Sequence, residues 1–242
     1  MAHTRTSSKA NPTDRRSGPA SEAVEDYVKA IYAIAERGQG AVSTTALAER
    51  LGVAPSSVTA MCRRLDEMGL SKHEPYRGVE LTPAGQHLAL EVIRHHRLIE
   101  LFLVEALGMP WDRVHDEAEV LEHYISEEVE RRIAERLGDP ARDPHGDPIP
   151  SPDFDVAADR TVPLSALDVG RTGRFTRVSD SDSRMLRYLD ARDIRPGALL
   201  VVRGVEPFGG PVRVEVGGVE YALGPELVAR MRVEAEPADA VS

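Results

Sequence analysis

A single cysteine, Cys62, stands in 242 residues, which argues against the disulfide-built secreted class. No run of eighteen apolar residues is present to span a bilayer, and no charged segment followed by a short apolar stretch marks an export signal. The expectation is a soluble, cytoplasmic protein with no membrane partner. Positive charge is also scarce, the net charge being −10. That is the wrong sign for a nucleic-acid binder, because affinity for a polyanion comes from Lys and Arg neutralising phosphates, so local charge has to decide the point. No internal repeat is found. With 41% hydrophobic residues the chain can bury a real core, and its length suits two or three small domains rather than one.

Residues 1–20 are polar and aperiodic, with Arg5, Lys9, Arg15 and Arg16 against Asp14, which reads as a basic disordered arm. Ser21 offers an N-cap to a first helix with Val24, Val28, Ile31 and Ala35 at helical spacing, ending near Gly38. Ser43 caps a second helix that stops at Gly52, and Pro55 opens a third that stops at Gly69. Two short helices with a tight turn make a helix-turn-helix. The following LSKHEPYRGVELT reads as strand, turn, strand, a β-wing. Thr82-Pro83 starts a long helix to Gly108, and another is expected from about Trp111 or Asp112 to Leu137. Six prolines between 139 and 163 break regular structure, leaving a linker or an extended wrap. From Leu164 onward, short β-rich segments such as ALLVVRGV and VRVEV, separated by glycine turns, predict a small β-barrel.

In a helix-turn-helix the second helix enters the major groove with its N-terminal residues toward base edges, while cations and hydroxyls hold phosphates. Ser56, Ser57, Thr59 and Ala60 are therefore the base-facing candidates. Arg63, Arg64, Lys72 and Arg77 are candidates for phosphate contacts, with the wing tip at Tyr76-Arg77 reaching the neighbouring backbone. The competing reading makes these the solvated faces of an ordinary helical domain; the wing, which completes a winged helix, favours DNA.

A second constellation carries different chemistry. His115, Glu119, Glu122 and His123 follow one another at offsets of four, seven and eight, which would align them on one face of a continuous helix. The preceding helix carries His96 and Glu100, four apart. Imidazoles and carboxylates on facing helices are how bundles build divalent-metal sites, although each residue by itself reads equally as a solvated charge or an i,i+4 pair.

EDYVKAIY, TALAERLGVAPSSVTAMCRRLDEMGL, LTPAGQHLA, RHHRLIELFL, VHDEAEVLEHYISEEVERRI and GDPIP together resemble the diphtheria-toxin-repressor family of metal-dependent transcriptional regulators, over nearly the whole chain after the arm. The resemblance implies a mainly α protein with a small β domain. Its parts would be a winged helix-turn-helix over 21–90, a helical metal-binding and dimerisation domain over 91–156, a linker at 157–163 and an SH3-like β-barrel over 164–236. It also implies a homodimer that binds double-stranded operator DNA and is not an enzyme. By position, Asp26, Glu119, Glu122 and His123 resemble the primary, activating metal site, and His96, Glu100 and His115 the helical part of an ancillary site. Iron-sensing members have Met and Cys where this chain has Asp26 and Glu119, whereas manganese-sensing relatives have Asp and Glu. The resemblance therefore implies Mn2+ as cofactor, with Fe2+ and an iron-dependent repressor as the alternative. Lys29 departs from short manganese regulators, which have a further Glu ligand there. The barrel ligands of the iron sensors fall on Thr176 and Ser179, neither a strong ligand, with Asp180 or Asp182 nearby.

Two rivals compete with this reading. A carboxylate-bridged metalloenzyme would want a second Glu-x-x-His copy, which is missing, and would leave the winged helix unexplained. A repressor answering to an organic ligand would want an apolar pocket where Glu119 stands.

Overall fold

The computed structural model describes residues 19–36, 38, 40–74 and 77–237. The basic arm up to residue 18 and the wing-tip Tyr76 lie outside them. The chain divides into two compact units, one of residues 1–95 with 120–131, the other of residues 96–119 with 132–242. Among the described residues no helix is long and apolar enough to cross a membrane.

The first unit opens with α1 (Pro19–Ala35), whose Val24, Tyr27, Val28 and Ile31 recur at helical spacing and are buried. Next comes α2 (Thr44–Leu51), started by Ser43, whose Oγ accepts the Ala46 N–H at 3.1 Å, and stopped by Gly52 in the left-handed region at φ 64°. Pro55 then opens α3 (Pro55–Glu67). Val58, Cys62 and Leu65 bury one face of α3 against Val28, Ile31, Leu47 and Val79 in a shared core. Each large aliphatic side chain in such a core is worth ~1.5–3 kcal/mol. Strands β1 (Ser71–Glu74) and β2 (Gly78–Leu81) pair antiparallel, Lys72 opposite Glu80, and form the wing. Thr82 caps α4 (Pro83–Leu107), accepting the Gly85 N–H at 3.2 Å while donating to the Gly69 carbonyl at 2.7 Å. Only glycine fits at 85, because a Cβ there would stand 1.9 Å from the Leu70 carbonyl oxygen.

The helix expected from Trp111 to Leu137 is two helices, α5 (Val114–Leu121) and α6 (Glu127–Leu137). Ser126 is the cause: its Oγ accepts the Val129 N–H at 3.3 Å, and Glu127, Glu128 and Glu130 follow in the first turn, where the helix dipole favours carboxylates. The offsets of seven and eight therefore no longer place Glu122 and His123 on one helical face with His115.

The second unit is built on a six-stranded antiparallel sheet with strand order β3-β8-β4-β5-β6-β7. Its strands are β3 (Val162–Pro163), β4 (Thr172–Val178), β5 (Leu199–Val205), β6 (Val212–Val216), β7 (Val219–Leu223) and β8 (Met231–Ala235). Its edge strands β3 and β7 do not pair with each other, and the register shifts in β4 and β5 bend the sheet. Phe175, Leu200, Val202, Val214 and Val233 from the strands meet Leu186 and Leu189 of α7 (Ser183–Asp190), Leu227 and Val228 of α8 (Pro225–Arg230), and Trp111 in one core. The proline-rich segment is a wrap over its first part. Asp143, His145, Gly146, Ile149 and Pro150 are buried, whereas residues 155–160 are exposed. Gly146 sits against β4 so closely that a Cβ would lie 1.8 Å from the Thr176 carbonyl oxygen.

Candidate metal centres and nucleic-acid interface

Two clusters of metal-competent side chains lie each within one compact unit. In the first unit, α1 presents Asp26, and the turn after α5 presents Glu122 and His123. Their donor atoms lie within 4.8 Å of one another. His123 Nε2 is 3.1 Å from Asp26 Oδ1 and 3.7 Å from Glu122 Oε1. The other ring nitrogen, Nδ1, is 2.6 Å from Glu25 Oε2. Glu25 therefore accepts the Nδ1–H bond and orients the ring so that Nε2, once it gives up its proton, faces Asp26 and Glu122, the carboxylate–histidine arrangement that orients a ligating imidazole. Without a bound cation, hydrogen bonds to Asp26 and Glu25 raise the His123 pKa to about 10, burial opposing them only in part.

Glu122 is buried, and Lys29 Nζ lies 2.9 and 2.8 Å from its two carboxylate oxygens. Its backbone carbonyl faces His95 Nδ1 at 3.3 Å. His95 in turn has Nε2 3.2 Å from Glu130 Oε2, and Arg94 Nε donates to Glu130 Oε1 at 2.6 Å. Burial pushes the Glu130 carboxyl up, but His95 and Arg94 outweigh it and hold it below its ordinary value. This network braces the turn that carries Glu122 and His123.

The second cluster belongs to the other unit. His96 and Glu100 stand one turn apart on α4, His115 on α5, and Asp180 just after β4. Glu100 Oε1 is 3.0 Å from His96 Nε2 and 3.3 Å from His115 Nδ1, and Asp180 Oδ2 is 3.1 Å from His115 Nδ1. Donors held about 2.1 Å from a first-row divalent ion lie roughly 3.0–3.4 Å apart, so these hydrogen-bond spacings also suit a cation. Hydrogen bonds to Asp180 and Glu100 raise His115 to about 10. Burial disfavours the Asp180 anion, yet His115 holds its pKa at about 2.

The opposite edge of Glu100 meets two residues that sequence reasoning passed over, Asp143 and His145 of the wrap. His145 Nε2 lies 2.8 Å from the Trp111 carbonyl, to which it donates, so the Nδ1 lone pair is turned toward Glu100 Oε2 at 3.5 Å. Neither of these two buried atoms has a hydrogen-bond partner. Asp143 Oδ1 accepts the backbone N–H groups of His145 and Asp147 at 2.8 and 2.9 Å. Burial, with Asp147 and Glu100 adding to it, raises the Asp143 pKa well above the carboxylate range. Burial opposes a proton on His145, but the facing carboxylates outweigh it and raise the pKa to about 9. A buried ring nitrogen and a buried carboxylate oxygen facing each other without a hydrogen bond, beside sulfur-free nitrogen and oxygen donors, fit a divalent first-row cation that displaces the His145 proton. His-Gly-Asp between two prolines is the available signal, within the stretch whose prolines read only as a linker or an extended wrap.

Glu119 belongs to the second unit, 3.7 Å from His96 Nδ1 and 3.8 Å from His115 Nε2. Of the residues weighed near the barrel positions, Asp180 joins His115, whereas Asp182 caps α7 through the Arg184 N–H at 2.9 Å. Thr176 Oγ1 bonds the Arg174 carbonyl and Ser179 bonds Ser181.

On α3, burial of Val58, Cys62 and Leu65 leaves Ser56, Ser57, Ala60, Arg63 and Arg64 exposed on the other side. Thr59 is half-buried, its hydroxyl donating to the Pro55 carbonyl at 3.0 Å. Lys72 and Arg77 are exposed on the wing, Arg77 pairing with Glu74 at 3.2 Å. Four cations and three short side chains on the outer faces of helix and wing give a surface able to approach phosphates locally, despite the acidic whole.

Comparison with known proteins follows the same division. Residues 20–79 match the family described as iron dependent repressor, N-terminal DNA binding domain. Residues 82–151 match iron dependent repressor, metal binding and dimerisation domain, and residues 162–235 match the FeoA domain. The chain is 31% identical over 225 residues to the iron-dependent repressor IdeR of Mycobacterium leprae (strain TN), covering 88% of this chain and 97% of that protein. It is 33% identical over 223 residues to the diphtheria toxin repressor of Corynebacterium efficiens, covering 88% and 95%. Among solved structures, a manganese-dependent transcriptional repressor in complex with manganese superimposes with a TM-score of 0.82 at 42% identity, covering 88% of this chain and all of that one.

Proposed function

This chain belongs to the diphtheria toxin repressor family of metal-dependent transcriptional repressors, and from that premise we propose that it is a manganese-dependent one. It acts in the cytoplasm as a homodimer on double-stranded operator DNA. Residues 21–90 serve as the winged helix, 91–156 as the metal-binding and dimerisation domain, 157–163 as linker and 164–236 as the SH3-like domain. The observation that carries the reading is the convergence of Asp26, Glu122 and His123 from distant stretches of chain to within 4.8 Å.

The chain's own residues do the preparatory work. Asp26 sits on α1, against whose buried face α3 packs, and Glu122 and His123 sit on the α5–α6 turn of the same unit. A group liganded by all three ties that turn to the helix that supports the recognition helix. Glu25 holds the proton of His123 Nδ1, and the Arg94–Glu130–His95 network holds the Glu122 carbonyl. We assign Glu119 to this first set, and His96, Glu100, His115 and Asp180, extended by Asp143 and His145, to the second. When bound, a divalent cation supplies concentrated positive charge and a fixed donor geometry. Only differential affinity for two arrangements can then shift the population toward the one that binds DNA. Ser56, Ser57, Thr59 and Ala60 face bases, and Arg63, Arg64, Lys72 and Arg77 face phosphates.

Manganese is favoured by the donors: carboxylates and one imidazole, with no thioether or thiolate, suit a hard cation. The second reading, an iron-dependent repressor, is supported by the 31% identical IdeR. The test uses duplex DNA selected from a random library in Mn(II), titrated anaerobically with Mn(II) and Fe(II) against wild type and the Asp26→Met, Glu119→Cys double variant. Wild type is expected to respond to Mn(II) at the lower free concentration and the double variant to shift toward Fe(II). Wild-type preference for iron, or an unmoved order in the variant, overturns the manganese assignment.

A further inference from the structure

We propose that Lys29 is a tethered cation that competes for Glu122 and so sets the metal concentration at which the Asp26–Glu122–His123 group fills. The inference rests on reading that group as a metal site. Asp26 and Lys29 are three apart on α1, so one helix face delivers both a ligand and its competitor to the same place. The Lys29 ammonium spans both oxygens of Glu122 at 2.9 and 2.8 Å, and the carboxylate side chain is 0% exposed. A buried carboxylate without a counter-charge costs several kcal/mol, so this pair supplies that counter-charge and holds Glu122 in place before any divalent ion arrives. Ligation through Glu122 then requires at least one of the two N–H···O bonds to be given up. The Lys29 side chain is 15% exposed, and its flexible stem gives the ammonium a route to withdraw toward water.

The choice of lysine is itself informative. The chain has three lysines against 27 arginines, and at this position it has lysine. A guanidinium would hold the carboxylate through a planar, bidentate fork, whereas an ammonium is a point charge that can leave one oxygen at a time. A displaceable cation is what a threshold needs: the metal-free protein stays charge-balanced, and loading begins only when free metal outcompetes an intramolecular partner.

Isothermal titration of the full chain with Mn(II) tests this, in a His115→Ala background that weakens the second set. Lys29→Met removes the competitor and is expected to tighten binding by about tenfold, the equivalent of one charge-assisted hydrogen bond. Its metal-free melting temperature should fall and be restored by Mn(II). Lys29→Arg keeps the charge and fold and is expected to weaken binding relative to wild type. Should Lys29→Met fail to fold without metal, the arginine variant carries the comparison. Unchanged or weaker Mn(II) affinity in a folded Lys29→Met, or tighter affinity in Lys29→Arg, overturns the proposal. Asp26→Ala separates the two levels: if it leaves the titration of the wild-type residue-29 protein unchanged, the ligand reading fails, whereas a lost binding event there with no response to residue 29 refutes only the role of Lys29.

Discussion

Replacing Glu130 by Gln should damage a metal site that it does not touch. Glu130 lies on α6, where its two oxygens receive Arg94 at 2.6 Å and His95 at 3.2 Å, and His95 passes the constraint to the Glu122 carbonyl at 3.3 Å. The Arg94 side chain is only 8% exposed and that of His95 3%. Removing one charge of a buried ion pair costs ~3–5 kcal/mol, because the partner remains buried and uncompensated. Glutamine can still accept one hydrogen bond from Arg94, and the site keeps some contact with water, so about 2–3 kcal/mol is expected. Equilibrium urea unfolding of metal-free protein near pH 7, followed by far-UV circular dichroism, reads the loss in the first transition. The pH dependence gives an independent check of sign. Glu130 has a folded pKa below its ordinary value, so its contribution is present above the unfolded pKa and disappears as pH falls through the folded one. Wild type and Glu130→Gln should therefore converge in stability as pH falls through the lowered folded pKa. Mn(II) affinity at the Asp26 group should fall as well, with every ligand intact. A variant within 1 kcal/mol of wild type at neutral pH, or a difference that persists unchanged into acid, would refute the brace.

Three further outcomes follow from the geometry. His123 and His115 have pKa values raised to about 10 and His145 to about 9, so all three hold protons at neutral pH, and metal loading should release protons. Calorimetry in buffers of different ionisation enthalpy checks this, affinity rising with pH; zero net release at pH 7 contradicts the assigned donors. Gly146→Ala forces a Cβ against the Thr176 carbonyl at a φ of 91°, and should lower the stability of the second unit and, with it, affinity at the His145 group; thermal melting at the wild-type midpoint would show that the wrap yields. Arg63→Ala should weaken all duplex sequences alike and lower the salt slope by about one, whereas altered base preference at constant slope, measured by fluorescence anisotropy, would make Arg63 a base reader.

Much of this protein was legible without coordinates because the relevant physics is local. Ser43, Gly52, Pro55 and Thr82-Pro83 punctuate helices through caps and fixed φ, and those signals act within a few residues. The apolar spacing of Val24, Val28 and Ile31, and of Val58, Cys62 and Leu65, likewise announces buried faces before any partner is known. What the sequence by itself determined was therefore most of the helix boundaries, the winged helix and a list of candidate imidazoles and carboxylates that lacked Asp143 and His145. Only the tertiary structure decided how that set divides. The Ser126 cap breaks a helix that periodicity alone joined, which parts Glu122 and His123 from the face of His115. The wrap turns His145 and Asp143 toward Glu100, and the end of β4 brings Asp180 to His115. Lys29 meets Glu122 across 93 residues of chain. Such pairings join residues distant in sequence, where no periodicity operates, and they arise only once burial leaves each charged group a single place to find its partner.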